Sequence, residues 1–417
     1  MAVSRRQFLE AASGAAALTA LADRTTAAQT GDDPLGVRAD FPALAEYAFL
    51  NTAYIGLVAR PVVEAGRAWL DARARRPLEV GDMLSKTDEA RRRFAGLINV
   101  SEDEIGFLFS TTEGENVVVD ALDLKAGDNV VIDDLVYPST PVIHRRLQET
   151  KGVELRIVRH RDGAVDVRDF ERVVDRRTRL ISVAWVSNLN GFRHDTKPLA
   201  DLAHAHGAYL YADAIQLIGT GPVDVRQAGV DFLCCGCYKW LMAGFGIAPF
   251  YVRRDLLDRV NADRAGWHVE KRLGDYQYQH FKNAKKYEFA SLAFGEMYQL
   301  AAALAYLERV GLTRIEAHTA SLVTELGRGL ADRGFRLFTP PDARSPIVSF
   351  YIAGPADAAA KVLDAAGVKV SVQNGDRTDA YGGSGAAATR VRVAVSFFNN
   401  SADIQRMISA TERLRKS

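Results

Sequence analysis

The residue best placed to do chemistry in this chain is a lysine delivered by a buried strand. In DFLCCGCYKWLMAGFGIAPFYV, residues 231–252, an apolar run leads to Lys239 and then breaks at glycines before a second apolar strand. An ammonium flanked by core-like sequence either reaches out to solvent or is neutralised by reaction. A Schiff base with a carbonyl cofactor is the reaction that suits it, with the freed amine then moving protons.

Other candidates precede it in the chain. Asp213 closes the strand YLYADA, where a carboxylate needs a cationic partner. A protonated pyridine nitrogen is such a partner, and the carboxylate would hold the ring in its charged form. Gln216, three residues on, is placed to reach a hydroxyl of the same ring. STTEGEN, residues 110–116, follows a strand and opens a helix, so Thr111 and Thr112 sit among free backbone N–H groups that suit a phosphate. Tyr137 ends another strand, where it could stack on a planar ring, and Asn188 in WVSNLNG offers an amide. Each has a plainer alternative taken alone: a lysine on a turn, a capping Asp, an N-cap, a half-buried Tyr, a turn Asn.

The elements that must position these residues alternate. Helical spacing over 86–98 is followed by the strand EIGFLFS, the helix EGENVVVDAL, the strand NVVIDDL, and the helix STPVIHRRLQET. VELRIVR, a helix near 166–175, RLISVAWVS, KPLADLAHAHG and AYLYADA continue the pattern. Apolar strands alternating with helices predict an α/β fold, a mainly parallel sheet covered on both faces, with ligands at the strands' carboxyl ends. After residue 295 two helical stretches, the strands SPIVSFYIAG and VRVAVSFF, and helices near 355–366 and 401–415 predict a smaller α+β unit. The expected organisation is residues 41–295 as a large domain and 296–417 as a linking helix and small domain. TDAYGGSGAAAT, residues 378–389, reads as a loop.

The balance of 53 basic and 52 acidic residues, net +1, supplies no field for nucleic acid. Cys234, Cys235 and Cys237 are the only cysteines, and adjacent strand residues point to opposite faces, so neither a disulfide framework nor a metal site is expected. The start, SRRQFLEAASGAAALTALADRTTAAQ, is similar to a twin-arginine export signal: Arg5 and Arg6 precede an apolar stretch too short to span a bilayer. Cleavage is expected near Ala27-Ala28, residues 1–28 being the signal and 29–40 a lead-in. A periplasmic or secreted protein is the corresponding expectation, without stable membrane insertion.

From FLNTAYIG to SFFNNSADI the chain resembles the class V aminotransferase family. These are fold type I pyridoxal 5'-phosphate enzymes, among them cysteine desulfurases and isopenicillin N epimerase-like proteins. The resemblance implies a seven-stranded-type sheet, a homodimer with its active site at the subunit interface, and an amino-acid substrate. It implies that Lys239 carries the cofactor, Asp213 its ring nitrogen, Gln216 its ring oxygen, Tyr137 the stacking position, and Thr111 and Thr112 the phosphate, with Asn188 and Tyr238 beside the cofactor. KYEFAS stands where relatives have Glu-x-Gly-Thr, making Ser291 a phosphate contact from the second subunit. In RVAVSFFNN, Arg392 becomes the clamp for a substrate carboxylate, and Tyr54 joins it on the substrate side.

Two departures matter. Tyr238 stands where desulfurases carry His, and no cysteine lies between Ser371 and Arg390. A desulfurase that parks sulfur on its own thiolate needs one there. Cysteine desulfuration by that mechanism is therefore disfavoured; transamination, epimerisation and C–S elimination share their first steps and the sequence does not separate them, with transamination taken as the expectation. A catalytically inactive binding protein on the same fold is the alternative from another class, disfavoured because Lys239, Asp213, Gln216 and Arg392 are all chemically competent. A dinucleotide oxidoreductase is disfavoured because Gly244 and Gly246 precede a strand and open no helix.

Overall fold

The computed structural model describes residues 33–268, 270–374 and 389–414. Arg5, Arg6 and the expected cleavage region lie outside these residues, as do residues 378–388 of the glycine-rich loop. In chain order the elements are β1 (Ala48–Phe49), α1 (Arg60–Arg75), α2 (Val80–Leu97), β2 (Ile105–Leu108), α3 (Thr111–Ala121), β3 (Asn129–Asp133), α4 (Ser139–Lys151) and β4 (Glu154–Val158). They continue with α5 (Val167–Glu171), β5 (Thr178–Ala184), α6 (Thr196–Ala205), β6 (Tyr209–Asp213), α7 (Val225–Ala228), β7 (Phe232–Cys234) and β8 (Ala248–Val252). After the hairpin β9 (Lys271–Gly274) and β10 (Gln277–Gln279) come α8 (Phe294–Val310), α9 (Leu312–Ala331), β11 (Ile347–Ile352), α10 (Ala356–Ala365), β12 (Val368–Lys369), β13 (Ser371–Gln373), β14 (Thr389–Ala394) and α11 (Ser401–Leu414).

Seven strands form one sheet in the order β2-β8-β7-β6-β5-β3-β4. Only β8 runs against its neighbours, so β2 to β7 all end on one edge. Successive strand residues face opposite sides. Ile181, Val183, Leu210 and Leu233 enter one apolar cluster, and Leu180, Tyr211 and Phe232 enter another across the sheet. Burial on both faces is why these strands read as continuous apolar runs.

A second sheet, β11-β14-β13, is antiparallel and packs Val348, Phe350, Val391 and Val393 against Leu326, Leu363 and Ile404 of α9, α10 and α11. The architecture is the expected α/β fold of type I. β1 pairs in parallel with β12, tying residue 48 to residue 368, a link between distant segments that no local pattern announces. The helical stretch after residue 293 is two helices, because Gly311 turns at φ 90°, a conformation suited to glycine, and α9 starts at the next residue. β9 and β10 are exposed along their whole length and escaped the sequence reading for want of an apolar face. Among the described residues no helix is long and apolar enough to cross a membrane.

Candidate active site

The site is built from the edge where β2 to β7 end. After β2, Ser110 caps α3, its hydroxyl accepting the Glu113 N–H at 3.1 Å. The N–H groups of Thr111 and Thr112 are the first of the helix and have no intrahelical acceptor, so the start of α3 is a seat for an anion. The Tyr211 hydroxyl donates to the Thr111 carbonyl at 3.1 Å, fixing this helix start to β6 two residues before Asp213. The Thr112 hydroxyl donates to Ser139 at 3.2 Å.

Asp213 is the last residue of β6 and accepts the Ile215 N–H at 3.0 Å. Burial pushes its carboxyl up to about 6, against the opposing pull of that hydrogen bond and of Lys239. Lys239 lies five residues beyond β7 and is 5% exposed. Its amine has no hydrogen-bond or ion-pair partner among the described residues, lying only over the Tyr238 ring, 5.7 Å from its centroid. Burial pulls it down to about 8, with Asp213 acting in the opposite direction and Arg392 in the same one. A larger fraction of this amine is uncharged near neutrality than of an ordinary lysine, as a nucleophile or base requires.

Arg392 of β14 reaches the same region from the second sheet. It is 4% exposed, donates Nη1 to the Asn188 backbone carbonyl at 2.8 Å, and leaves Nε buried without a partner among the described residues. Burial, and then the neighbouring Arg390, bring it down to about 10, so it stays cationic at neutral pH. The Asn188 side-chain oxygen is also buried and, among the described residues, unpaired. Such groups cost about 1–3 kcal/mol each when left unmet, which argues that a ligand meets them.

Tyr238 stacks on Phe245 with centroids 4.2 Å apart and rings 16° from parallel. Its phenol is pushed up to about 12, by burial and then by the nearby Tyr137. Tyr137 and Tyr54 are largely exposed at the mouth. Ser291 is exposed as well and makes no hydrogen bond to the other candidates among the described residues, so within one chain it stands apart from them.

Gln216 is buried and already engaged. Its Nε2 donates to the Ala53 carbonyl at 3.0 Å, and its Oε1 accepts the Trp240 indole N–H at 2.9 Å. One N–H remains for a ring oxygen. Sequence reasoning missed Trp240, Ser110 and Gly56. A Cβ on Gly56 would lie 2.1 Å from the Lys239 carbonyl oxygen, and the Gly56 N–H donates to the Tyr238 carbonyl at 2.9 Å. The glycine in FLNTAYIG was visible, but the neighbour that demands it was not.

These groups fit pyridoxal phosphate: an unpaired, partly neutral amine for the carbonyl, a carboxylate for the ring nitrogen, one amide N–H for the ring oxygen, and bare helix N–H groups for the phosphate.

Comparison with known proteins agrees. The family model described as Aminotransferase class-V matches residues 76–407. A probable cysteine desulfurase of Methanothermobacter thermautotrophicus is 30% identical over 91% of this chain and 97% of its own length. An uncharacterized aminotransferase of Bacillus subtilis is 27% identical over 71% of this chain and 79% of its own. The solved apo structure of a cysteine desulfurase from Thermococcus onnurineus superposes with a TM-score of 0.83 at 26% identity, covering 92% and 98% of the two chains. These relatives overturn the expectation that transamination is favoured and cysteine desulfuration disfavoured. The missing loop cysteine removes one way of accepting sulfur, whereas breaking the bond to sulfur depends on the amine and the cofactor. With the family model spanning most of its length, this chain belongs to the class-V aminotransferase family, and its cofactor is pyridoxal 5'-phosphate.

Proposed function

We propose that the protein cleaves the carbon–sulfur bond of cysteine or a cysteine-derived amino acid. The observation that carries this reading is the full-length similarity to a probable cysteine desulfurase, in a chain that keeps a buried, unpaired Lys239 amine beside Asp213 and Arg392. When bound, the cofactor supplies a carbonyl for that amine and a ring that accepts electron density from the substrate's α-carbon. Arg392 holds the substrate carboxylate, its free Nε and remaining N–H groups offering a fork. The Lys239 amine, close to half protonated near pH 8, takes the α-proton and returns it. Asp213 keeps the ring nitrogen protonated, and the helix start at Thr111 and Thr112 holds the phosphate.

The sulfur goes to an acceptor from outside this chain. All three cysteines are fully buried, and burial pushes each thiol well above its ordinary range, which leaves no reactive thiolate. A small-molecule thiol, or the remainder of a substituted substrate, fits that need. The exposed Tyr54, Tyr137 and Phe245 at the mouth support a second copy covering it, with Ser291 serving the neighbour's phosphate. Sedimentation of the loaded protein as a monomer would remove that part. Export in the folded state through the twin-arginine route belongs to the same proposal.

The test is to supply the loaded, purified protein with cysteine, cystine and S-substituted cysteines plus an added thiol. Released sulfur compound together with alanine or pyruvate is the expected result, absent in Lys239→Ala. Amino transfer to an added 2-oxo acid, with no sulfur released from any substrate, would overturn the reading.

A further inference from the structure

Trp240 follows Lys239 directly, is 4% exposed, and has one polar atom, an indole N–H that can only donate. That N–H meets Gln216 Oε1 at 2.9 Å, while the Ala53 carbonyl, which can only accept, takes a Gln216 Nε2 hydrogen at 3.0 Å. A glutamine amide can normally turn over, exchanging its oxygen for its nitrogen at little cost. Here the reversed amide would set an NH2 against the indole N–H and an oxygen against the carbonyl, losing both hydrogen bonds in a region where Gln216 is 1% exposed.

We infer that Trp240 is a positioning residue that fixes the direction of the Gln216 amide, so that the group it offers toward the cofactor is a donor and never an acceptor. The inference rests on the reading of Gln216 as the contact to the cofactor's ring oxygen. A donor there stabilises the deprotonated oxygen, and with it the unprotonated form of the bound chromophore at physiological pH. The three segments joined are Ala53 before Gly56, Gln216 after Asp213, and Trp240 after Lys239. Loss of the indole N–H therefore acts on the electronic state of the cofactor before it acts on binding. Of the titratable groups that act on this region, Asp213, Arg392 and Cys235 act directly on Lys239, Lys239 and Glu115 act on Asp213, and none of them is altered by the substitutions below.

The experiment is a spectroscopic pH titration of the loaded protein, following the visible band of the Lys239-bound cofactor in the parent, Trp240→Phe, Gln216→Leu and the double variant. One hydrogen bond lost indirectly corresponds to a rise in the titration midpoint of about 0.5–1 pH unit in Trp240→Phe. The rise should be larger in Gln216→Leu, and Trp240→Phe should add nothing in the Gln216→Leu background. An unmoved midpoint in Trp240→Phe beside a moved one in Gln216→Leu overturns the inference while leaving the cofactor contact intact. Unmoved midpoints in both sink the contact itself and the inference with it. Should Trp240→Phe misfold, replacing Trp240 with benzothienylalanine keeps its shape and removes only the N–H, and the same outcomes decide.

Discussion

Two of the places where this molecule buries charge do so in opposite ways. Arg91 of α2 and Glu288 are each 2% exposed and fully met: Arg91 Nη1 donates to Glu288 Oε1 at 2.7 Å and to the Ile105 carbonyl at 2.6 Å, and Glu288 Oε1 also accepts the Phe107 N–H at 3.0 Å. The cluster clamps β2 between α2 and the segment before α8. At the other place, among the described residues, Lys239 has no hydrogen-bond partner, Arg392 keeps a free Nε, and Asn188 a free side-chain amide oxygen. A satisfied buried pair holds a fold together, and an unsatisfied set holds something that comes and goes. Glu288 lies in KYEFAS, quoted as a motif for phosphate, and in this chain its carboxylate spends its capacity on Arg91 and β2.

The largest way to break the comparison is Lys239→Ala. It should lower carbon–sulfur cleavage by at least about 10³-fold in a product assay. It should also leave urea unfolding of the cofactor-free protein unchanged or shifted to higher urea, because a costly buried amine is removed. Glu288→Ala should do the reverse, costing about 3–5 kcal/mol in the same unfolding experiment by leaving Arg91 buried and uncompensated. An unchanged midpoint would mean that the clamp carries no load. Arg392→Lys should reduce kcat/KM about 10–100-fold, chiefly through KM, as the forked contact to a carboxylate is lost. An effect on kcat alone would move Arg392 out of substrate binding.

The unmet site should also show in the pH dependence of stability without cofactor. Lys239 is pulled from 10.5 to about 8, so between these values the unfolded chain binds more protons and stability rises with pH. Asp213 is pushed from 3.8 to about 6, so between those values the folded chain binds more protons and stability falls as pH rises. Urea midpoints across both windows check the signs, and Lys239→Met should flatten the upper one. The smallest effect lies outside both regions. Replacing Arg5 and Arg6 with lysines should abolish export, assayed by fractionation, and leave the stability of the mature protein, from which residues 1–28 are removed, unchanged.

The placement of Lys239, Asp213, Thr111, Thr112 and Asn188 was legible because each closes or follows a strand whose apolar run is a local signal, and a parallel sheet puts those ends on one edge. Arg392 was legible only through resemblance, since a strand arginine says nothing about which face it takes. Trp240, Ala53 and Gly56 were not legible in their roles, because each depends on a neighbour from a distant segment. The expectation that cysteine desulfuration is disfavoured failed for a chemical reason: a missing cysteine was weighed against the whole reaction when it removes only one acceptor.

By itself the sequence determined the alternation of strands and helices, a lysine set in an apolar run and the lack of a cysteine between Ser371 and Arg390, since periodicity and residue identity are properties of neighbours along the chain. Only the tertiary structure decided which polar atoms are met and which are left open. The pairing of β1 with β12, the press of Gly56 on Lys239 and the indole against Gln216 join segments far apart in the chain, and hydrogen-bond satisfaction is decided where such segments meet.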